Sequence, residues 1–248
     1  MIKVLINGCN GKMGQEVAKQ VDKTEGFTVL SGVDRLDTGD NKFPVYTLYE
    51  NITEMPDIII DFSVPEATFK ALEFASKNNI PIVIATTGFT DEQTNKIKEY
   101  SKTIPIFKSA NMSFEINLMA KIVAQMATLI NDADIEIVEA HHNRKIDAPS
   151  GTALLLADSI NSALDNKMNY EYNRHAKREK RSKNEIGIHS IRGGNIVGKH
   201  TVSFYSDDEY FEITHNVSSR SVFAKGAVKA ADFLVHKAPG LYDMNNLI

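Results

Sequence analysis

The chain opens on an apolar strand that runs directly into a glycine turn and a helix, and no other segment limits its fold as tightly. Ile2-Lys3-Val4-Leu5-Ile6 is followed by Asn7-Gly8-Cys9-Asn10-Gly11-Lys12-Met13-Gly14 and then by the helical pattern Gln15–Val21. That order predicts the first unit of a doubly wound parallel sheet, with a turn able to hold a dinucleotide pyrophosphate against a helix N-terminus. The spacing is G-x-x-G-x-x-G, with Asn10 where G-x-G-x-x-G has its middle glycine. A second strand, Phe27–Val33, ends at Asp34, about 20 residues past the glycines, where a ribose-binding carboxylate belongs. The alternative reading of Gly8, Gly11 and Gly14 is a tight strand–helix turn and nothing more.

Strand and helix patterns keep alternating over the first ~110 residues. Asp57–Phe62 is apolar on both faces, as a buried parallel strand should be, and Ser63-Val64-Pro65 opens a helix. Pro81–Ala85 leads into Thr86-Thr87-Gly88. Ile104–Phe107 leads into Ser109-Ala110-Asn111-Met112-Ser113. In open α/β sheets ligands gather at the carboxyl ends of strands, which is where all these polar loops fall.

Beyond residue 113 the texture changes. Phe114–Ile130 reads as a long amphipathic helix and Asp134–Ala140 as a strand. That strand delivers His141-His142-Asn143-Arg144-Lys145 to Ser150, a good N-cap for a helix from Thr152. Proton-transfer side chains thus meet a helix N-terminus, whose free N–H groups and positive dipole end suit a carboxylate or phosphate. Asn166–Glu185 is a charge run read as a solvated loop. Strands follow at Ile186–Arg192, His200–Tyr205 and Tyr210–His215, then a helix at Val222–His236. The expected fold class is α/β: an N-terminal Rossmann-like doubly wound parallel sheet over 1–112 and a second α+β domain with a mixed sheet over 113–220.

Composition excludes several function classes. The 248 residues are 42% hydrophobic and 24% charged with net charge −4, ordinary for a globular protein and ill-suited to nucleic acid. Cys9 is the one cysteine, so there is no internal disulfide, and it reads as small-residue packing in the glycine turn. No apolar run approaches the ~20 residues of a membrane span and no signal pattern appears, so a cytoplasmic protein is expected. No metal site is expected. His141 and His142 are neighbours on a strand and point to opposite faces, and no H-x-H or C-x-x-C completes a ligand set.

Several segments together resemble the dihydrodipicolinate reductase family. They are Gly8–Gly14, Asp61-Phe62-Ser63-Val64-Pro65-Glu66, Ala85-Thr86-Thr87-Gly88-Phe89, Glu139-Ala140-His141-His142 with Lys145–Thr152, and Ile213-Thr214-His215 with Ser218-Ser219-Arg220. The resemblance runs nearly end to end. It implies an NAD(P)H-dependent oxidoreductase of lysine and diaminopimelate biosynthesis, acting on a cyclic dicarboxylate. It also implies a homotetramer built through the second domain, with the C-terminal segment 221–248 packing on the nucleotide domain. By that resemblance Gly8, Cys9, Asn10, Gly11, Lys12 and Met13 form the pyrophosphate loop, and Asp34 and Arg35 meet the ribose and an NADP 2′-phosphate. Ala85, Thr86, Thr87, Ser109, Ala110, Asn111 and Met112 line further cofactor loops. His141 is the proton donor and Lys145 an assisting donor, while His142, Gly151 and Thr152 bind substrate. The family's Gly-Thr-Thr-Gly begins here with Ala85, and its Ala-Asn-Phe ends in Met112.

The residues suit that chemistry. Hydride addition to a conjugated imine leaves a carbon that needs a proton, which a histidine supplies near neutral pH. Use of both NADH and NADPH is expected, since Asp34 favours a free ribose hydroxyl while Arg35 and Lys12 can accept a 2′-phosphate. Two other readings stand at this point: a related two-domain enzyme such as aspartate or homoserine dehydrogenase, and a redox-sensing regulator that binds NAD(P)H without turnover.

Overall fold

The computed structural model describes residues 1–130 and 132–248. In chain order the elements are β1 (Ile2–Asn7), α1 (Lys12–Val21), β2 (Phe27–Val33), β3 (Val45–Tyr46), β4 (Ile58–Asp61), α2 (Pro65–Asn78), β5 (Ile82–Ile84), α3 (Asp91–Tyr100) and β6 (Pro105–Lys108). They continue with α4 (Phe114–Leu129), β7 (Asp134–His141), α5 (Gly151–Ala163), β8 (Asn169–Glu171), β9 (Glu185–Arg192), β10 (Gly198–Tyr205), β11 (Tyr210–Val217), α6 (Ser221–Leu234) and β12 (Gly240–Tyr242). The chain divides into two units, Met1–Phe114 with Arg220–Ile248, and Glu115–Ser219.

In the first unit seven parallel strands lie in the order β12-β6-β5-β4-β1-β2-β3. The apolar runs are continuous because each strand is covered on both faces. Val4, Ile6, Ile58, Ile60, Val83 and Phe107 face α1 and α6. Their neighbours Leu5, Ile59, Ile82, Ile84 and Ile106 face the side of α2 and α3. Chain order reverses on either side of β1, so the crevice outside the carboxyl ends of β1 and β4 is the switch point where such sheets bind ligands. Gly8 takes φ +81°, and a Cβ there would lie 2.7 Å from the Phe62 carbonyl oxygen. Gly14 packs so closely that a Cβ would lie 2.2 Å from Gly8 O. Both positions require glycine on steric grounds.

The second unit holds a five-stranded sheet in the order β11-β10-β7-β9-β8. It is mixed, since β10 runs antiparallel to β7 and β11 while β9 runs parallel to β7 and β8. Ile135, Ile137, Ile186, Ile188, Val202 and Phe204 all project to one face, where α4 and α5 cover them through Val123, Leu156 and Ile160. The doubly wound sheet and the mixed second sheet are the architecture expected from the sequence.

The charged stretch 166–185 is mostly exposed, as a solvated loop should be, but it is not without structure. It contains β8, and several of its cations meet specific acids. Arg181 donates to Asp134, Glu136 and the Ile135 and Glu185 carbonyls, while Arg174 and Lys177 pair with Glu185 and Glu171. Strands β3, β8 and β12 are two or three residues long and carry no detectable period in the sequence.

α6 sits on the first sheet through Ala224, Ala227, Val228, Ala231 and Leu234. Its Gly226 approaches Met112 so closely that a Cβ would lie 1.7 Å from the Met112 carbonyl oxygen. Backbone cannot yield as a flexible side chain does, so Gly226→Ala is expected to destabilise by about 1–3 kcal/mol. Gly193→Ala, where a Cβ would meet nothing within 4 Å, is expected to stay within about 0.5 kcal/mol. Urea unfolding of the two variants checks this.

Candidate active site

In the first unit an open cleft of about 1240 Å³ is bordered by Gly8, Asn10, Gly11, Asp34, Arg35, Ser63 and Val64, large enough for a nucleotide. Asp34 closes the glycine turn from below. One carboxylate oxygen accepts the Asn10 N–H at 2.8 Å and the other the Arg35 N–H at 2.8 Å. Asn10, in the place of the fingerprint's middle glycine, ties the turn to the following loop. Its amide donates to Leu36 O and its carbonyl accepts from Asn41 Nδ2, both at 2.7 Å. Gln15 completes the clasp, donating to Cys9 O and Asn41 Oδ1. Lys12 and Arg35 are exposed at the rim.

The rim is anchored by Asp61, which is fully buried at the end of β4. It accepts from Asn7 Nδ2, Ser63 Oγ, Thr68 Oγ1 and Thr86 Oγ1 at 2.5–2.9 Å. Burial pushes this carboxyl above its ordinary value, against the opposing pull of those donors. The arrangement decides what neighbouring residues can offer a ligand. Thr86 spends its hydroxyl on Asp61 and on the Ser63 N–H, so it faces inward while Thr87 is exposed. Cys9 is buried with its thiol pushed up to about 12, chiefly by burial and then by Asp34, and is chemically quiet. Met112 is 2% exposed and belongs to the core. Ala85 and Asn111 are half-buried, as is Ser109, and Ala110 is exposed. Ser109 shapes that loop by donating to Asn111 O.

In the second unit the centre is Glu139, which has no exposed surface. Strand alternation puts it on the covered face of the sheet, in one row with Ser190, His200 and His215 across β9, β7, β10 and β11. One carboxylate oxygen meets His141 Nδ1 at 2.6 Å and Arg192 at 2.8 Å. The other accepts from Arg192 at 2.7 Å and from the Ser150 N–H at 3.1 Å. Burial would raise this carboxyl, but donation from Arg192 and His141 outweighs it and holds the value down to about 2. Ser150 caps α5, accepting from the Ala153 N–H at 3.1 Å while its hydroxyl contacts His200 Nε2 at 3.0 Å. The His200 ring stands edge-on to His141, centroids 5.1 Å apart. Burial first, and the His141 charge second, push His200 down to about 4.

Beyond β7, His142 is half-buried and donates its backbone N–H to Ile196 O. Lys145 Nζ rests 2.8 Å from Asp147, whose carboxyl is held below its ordinary value by that ammonium. Gly151 is exposed with open space around it, and Thr152 follows, half-buried, in the first turn of α5. His141, Ser150 and the head of α5 thus gather around one carboxylate. Arg192 and His200 enter the sequence analysis only as strand ends, and Glu139 only as part of a family-like segment, none with a role at this site. Their only sequence signal was strand alternation. Among the described residues no group of three or more His, Cys, Asp or Glu is placed to hold a metal ion.

Family models described as dihydrodipicolinate reductase, N-terminus and C-terminus, match residues 2–112 and 115–248. A 4-hydroxy-tetrahydrodipicolinate reductase from Caldanaerobacter subterraneus subsp. tengcongensis is 50% identical, covering 100% of this chain and 98% of that one. One from Clostridium novyi is 45% identical with the same coverage. A solved dihydrodipicolinate reductase from Paenisporosarcina sp. TG-14, bound to dipicolinate, superposes with TM-score 0.84 at 28% identity over 100% of both chains.

The two perturbed groups make a pH prediction. The folded state disfavours protonating either His200 or Glu139, so the unfolded chain takes those protons first as pH falls. His200 should therefore cost stability between pH 6.5 and about 4, and Glu139 between 4.5 and about 2. Each spans roughly 3 kcal/mol at most. Urea midpoints against pH should fall on acidification, and His200→Gln should shrink the loss in the upper window, where His215, also lowered by burial, supplies the rest, while keeping the lower one.

Proposed function

The chain belongs to the dihydrodipicolinate reductase family, and on that footing we propose that it is an oxidoreductase using NADH and NADPH to reduce 4-hydroxy-tetrahydrodipicolinate to tetrahydrodipicolinate in lysine and diaminopimelate biosynthesis. The observation that carries the reading is His141 held on a buried carboxylate that also anchors the head of α5. A proton donor and an anion-binding helix start then share one scaffold, as chemistry on a small dicarboxylate requires.

In this reading the unit containing residues 1–112 and 221–248 binds the nucleotide, and 113–220 binds substrate and forms a homotetramer. The cleft bordered by Gly8 and Gly11 suits a pyrophosphate, because glycines carry no side chain and let a ligand approach the backbone. Gly8, Asn10, Gly11, Lys12 and Met13 hold the phosphates, with Cys9 taking part through its backbone. Asp34 and Arg35 receive the ribose, and the loops at Ala85, Thr86, Thr87 and Ser109–Met112 receive the rest, Thr86 and Met112 through their backbones. A bound nicotinamide supplies the hydride.

His141 delivers the proton to the carbon adjacent to the reduced centre. Lys145, an ammonium on a flexible stem, exchanges Asp147 for a substrate carboxylate and assists departure of the hydroxyl group. His142, Gly151 and Thr152 hold the carboxylates, Gly151 and Thr152 through N–H groups at the positive end of α5. The tetramer would bury the sheet face opposite α4 and α5, where Ile191, Tyr205 and Tyr210 stand 53%, 41% and 63% exposed. The setting in this reading is the cytoplasm. No helix among the described residues is long and apolar enough to cross a membrane.

The test generates the unstable substrate in place with dihydrodipicolinate synthase and follows nicotinamide absorbance. Consumption of NADH and NADPH that depends on the synthase is expected, and its absence would overturn the proposal. His141→Ala should lower turnover by roughly 10²–10⁴ while cofactor affinity is retained. Arg35→Ala should weaken NADPH binding well beyond NADH binding, as measured by fluorescence titration. Equal losses would remove the 2′-phosphate role from Arg35.

A further inference from the structure

A histidine that hands over a proton must present the right nitrogen, and the surroundings of His141 decide which one that is. Nδ1 lies 2.6 Å from Glu139 Oε2. An ionised carboxylate only accepts, so Nδ1 must carry a hydrogen and donate it. Nε2 hydrogen-bonds to none of the described residues. It faces the backbone at the start of β10, where a Cβ on Gly198 would stand 3.2 Å from it. The Glu139 carboxylate is itself held. Arg192 grips both oxygens in a two-pronged pair, at 2.8 and 2.7 Å, and reaches the Asp147 carbonyl at 2.6 Å. The Ser150 N–H donates to it at 3.1 Å, and the Ser190 side chain donates as well.

We propose that Glu139 and Arg192 are positioning residues for the proton transfer. Together they lock His141 with its fixed hydrogen on Nδ1, so that Nε2 is the atom that gives and regains the mobile proton. The same carboxylate fixes the head of α5 relative to that atom. Glu139 and Arg192 touch neither substrate nor cofactor and act through His141 and Ser150. Arg192 is needed because a carboxylate free to rotate would release the ring, and a planar guanidinium restrains both oxygens at once, which a lysine ammonium cannot do. Gly198 contributes by leaving room beside Nε2.

The inference rests on His141 being the proton donor, and its test separates the two ideas. Nitrogen-15 and carbon-13 NMR of ring-labelled protein, with the His141 signals assigned from a His141→Gln variant, reads the tautomer of the neutral ring without any turnover. The wild-type protein is expected to show hydrogen on Nδ1, and hydrogen on Nε2 would overturn the proposal. In Glu139→Gln the tautomer preference should collapse and turnover should fall on the order of 10²–10⁴-fold, the range for a misoriented catalytic imidazole. NADH affinity should change less than about twofold, since Glu139 lies outside the nucleotide-binding residues. Arg192→Lys, which preserves charge, should lower turnover at least tenfold and broaden the His141 signals, and it decides the matter if Glu139→Gln fails to fold. Wild-type turnover in either variant would overturn the proposal. A wild-type protein inactive on the dicarboxylate would instead strike the function proposed above, and the tautomer would still be decided by the spectrum.

Discussion

A carboxylate sealed from water has to collect its own donors, and Glu139 shapes the second unit by doing so. Removing an ionised carboxylate from water costs several kcal/mol unless hydrogen bonds and an opposite charge compensate. Glu139 meets that demand with donors from His141 on its own strand, Arg192 and Ser190 on the next, and Ser150 beyond the intervening loop. Each donor is thereby fixed at hydrogen-bond precision. The network is coupled for the same reason, since removing one partner leaves the others facing an uncompensated buried charge.

The first unit uses the same device for a different end. Asp61, buried at the carboxyl end of β4, gathers donors from β1, the loop after β4, α2 and the loop after β5. Those segments border the crevice at the sheet's switch point, so one side chain holds the rim in register. Thr68 and Thr86 are turned inward to satisfy it, which leaves backbone and Thr87 for a ligand. In both units a buried acid at a strand end organises the loops that follow.

His200 shows how tightly such a cluster is packed. It lies between His141 and Ser150, stays neutral because burial disfavours its charged form, and has a buried Nδ1 with no hydrogen-bond partner among the described residues. Under the proposed function, a neutral His200 avoids placing a second cation beside a protonated His141.

Much of this was legible in the chain. The order of strand, glycine turn and helix determined the parallel sheet, because glycines at Gly8 and Gly14 permit an approach that no Cβ allows. Asp34 and the polar loops announced themselves by position after strands, and Ser150 by its capping chemistry. His141, Lys145 and the start of α5 were readable because they lie within a dozen residues of one another. What the sequence could not decide was which distant groups would meet them. Arg192 is 53 residues from Glu139, and only the parallel pairing of β9 with β7 sets Arg192 opposite His141. The antiparallel pairing of β10 likewise sets His200 opposite Glu139. A shift of one residue in either register would turn these side chains to the other face. Local sequence therefore determined the elements and the candidate site residues. Tertiary structure alone decided their orientation and partners, because those depend on burial and on donors brought together only when the sheet forms.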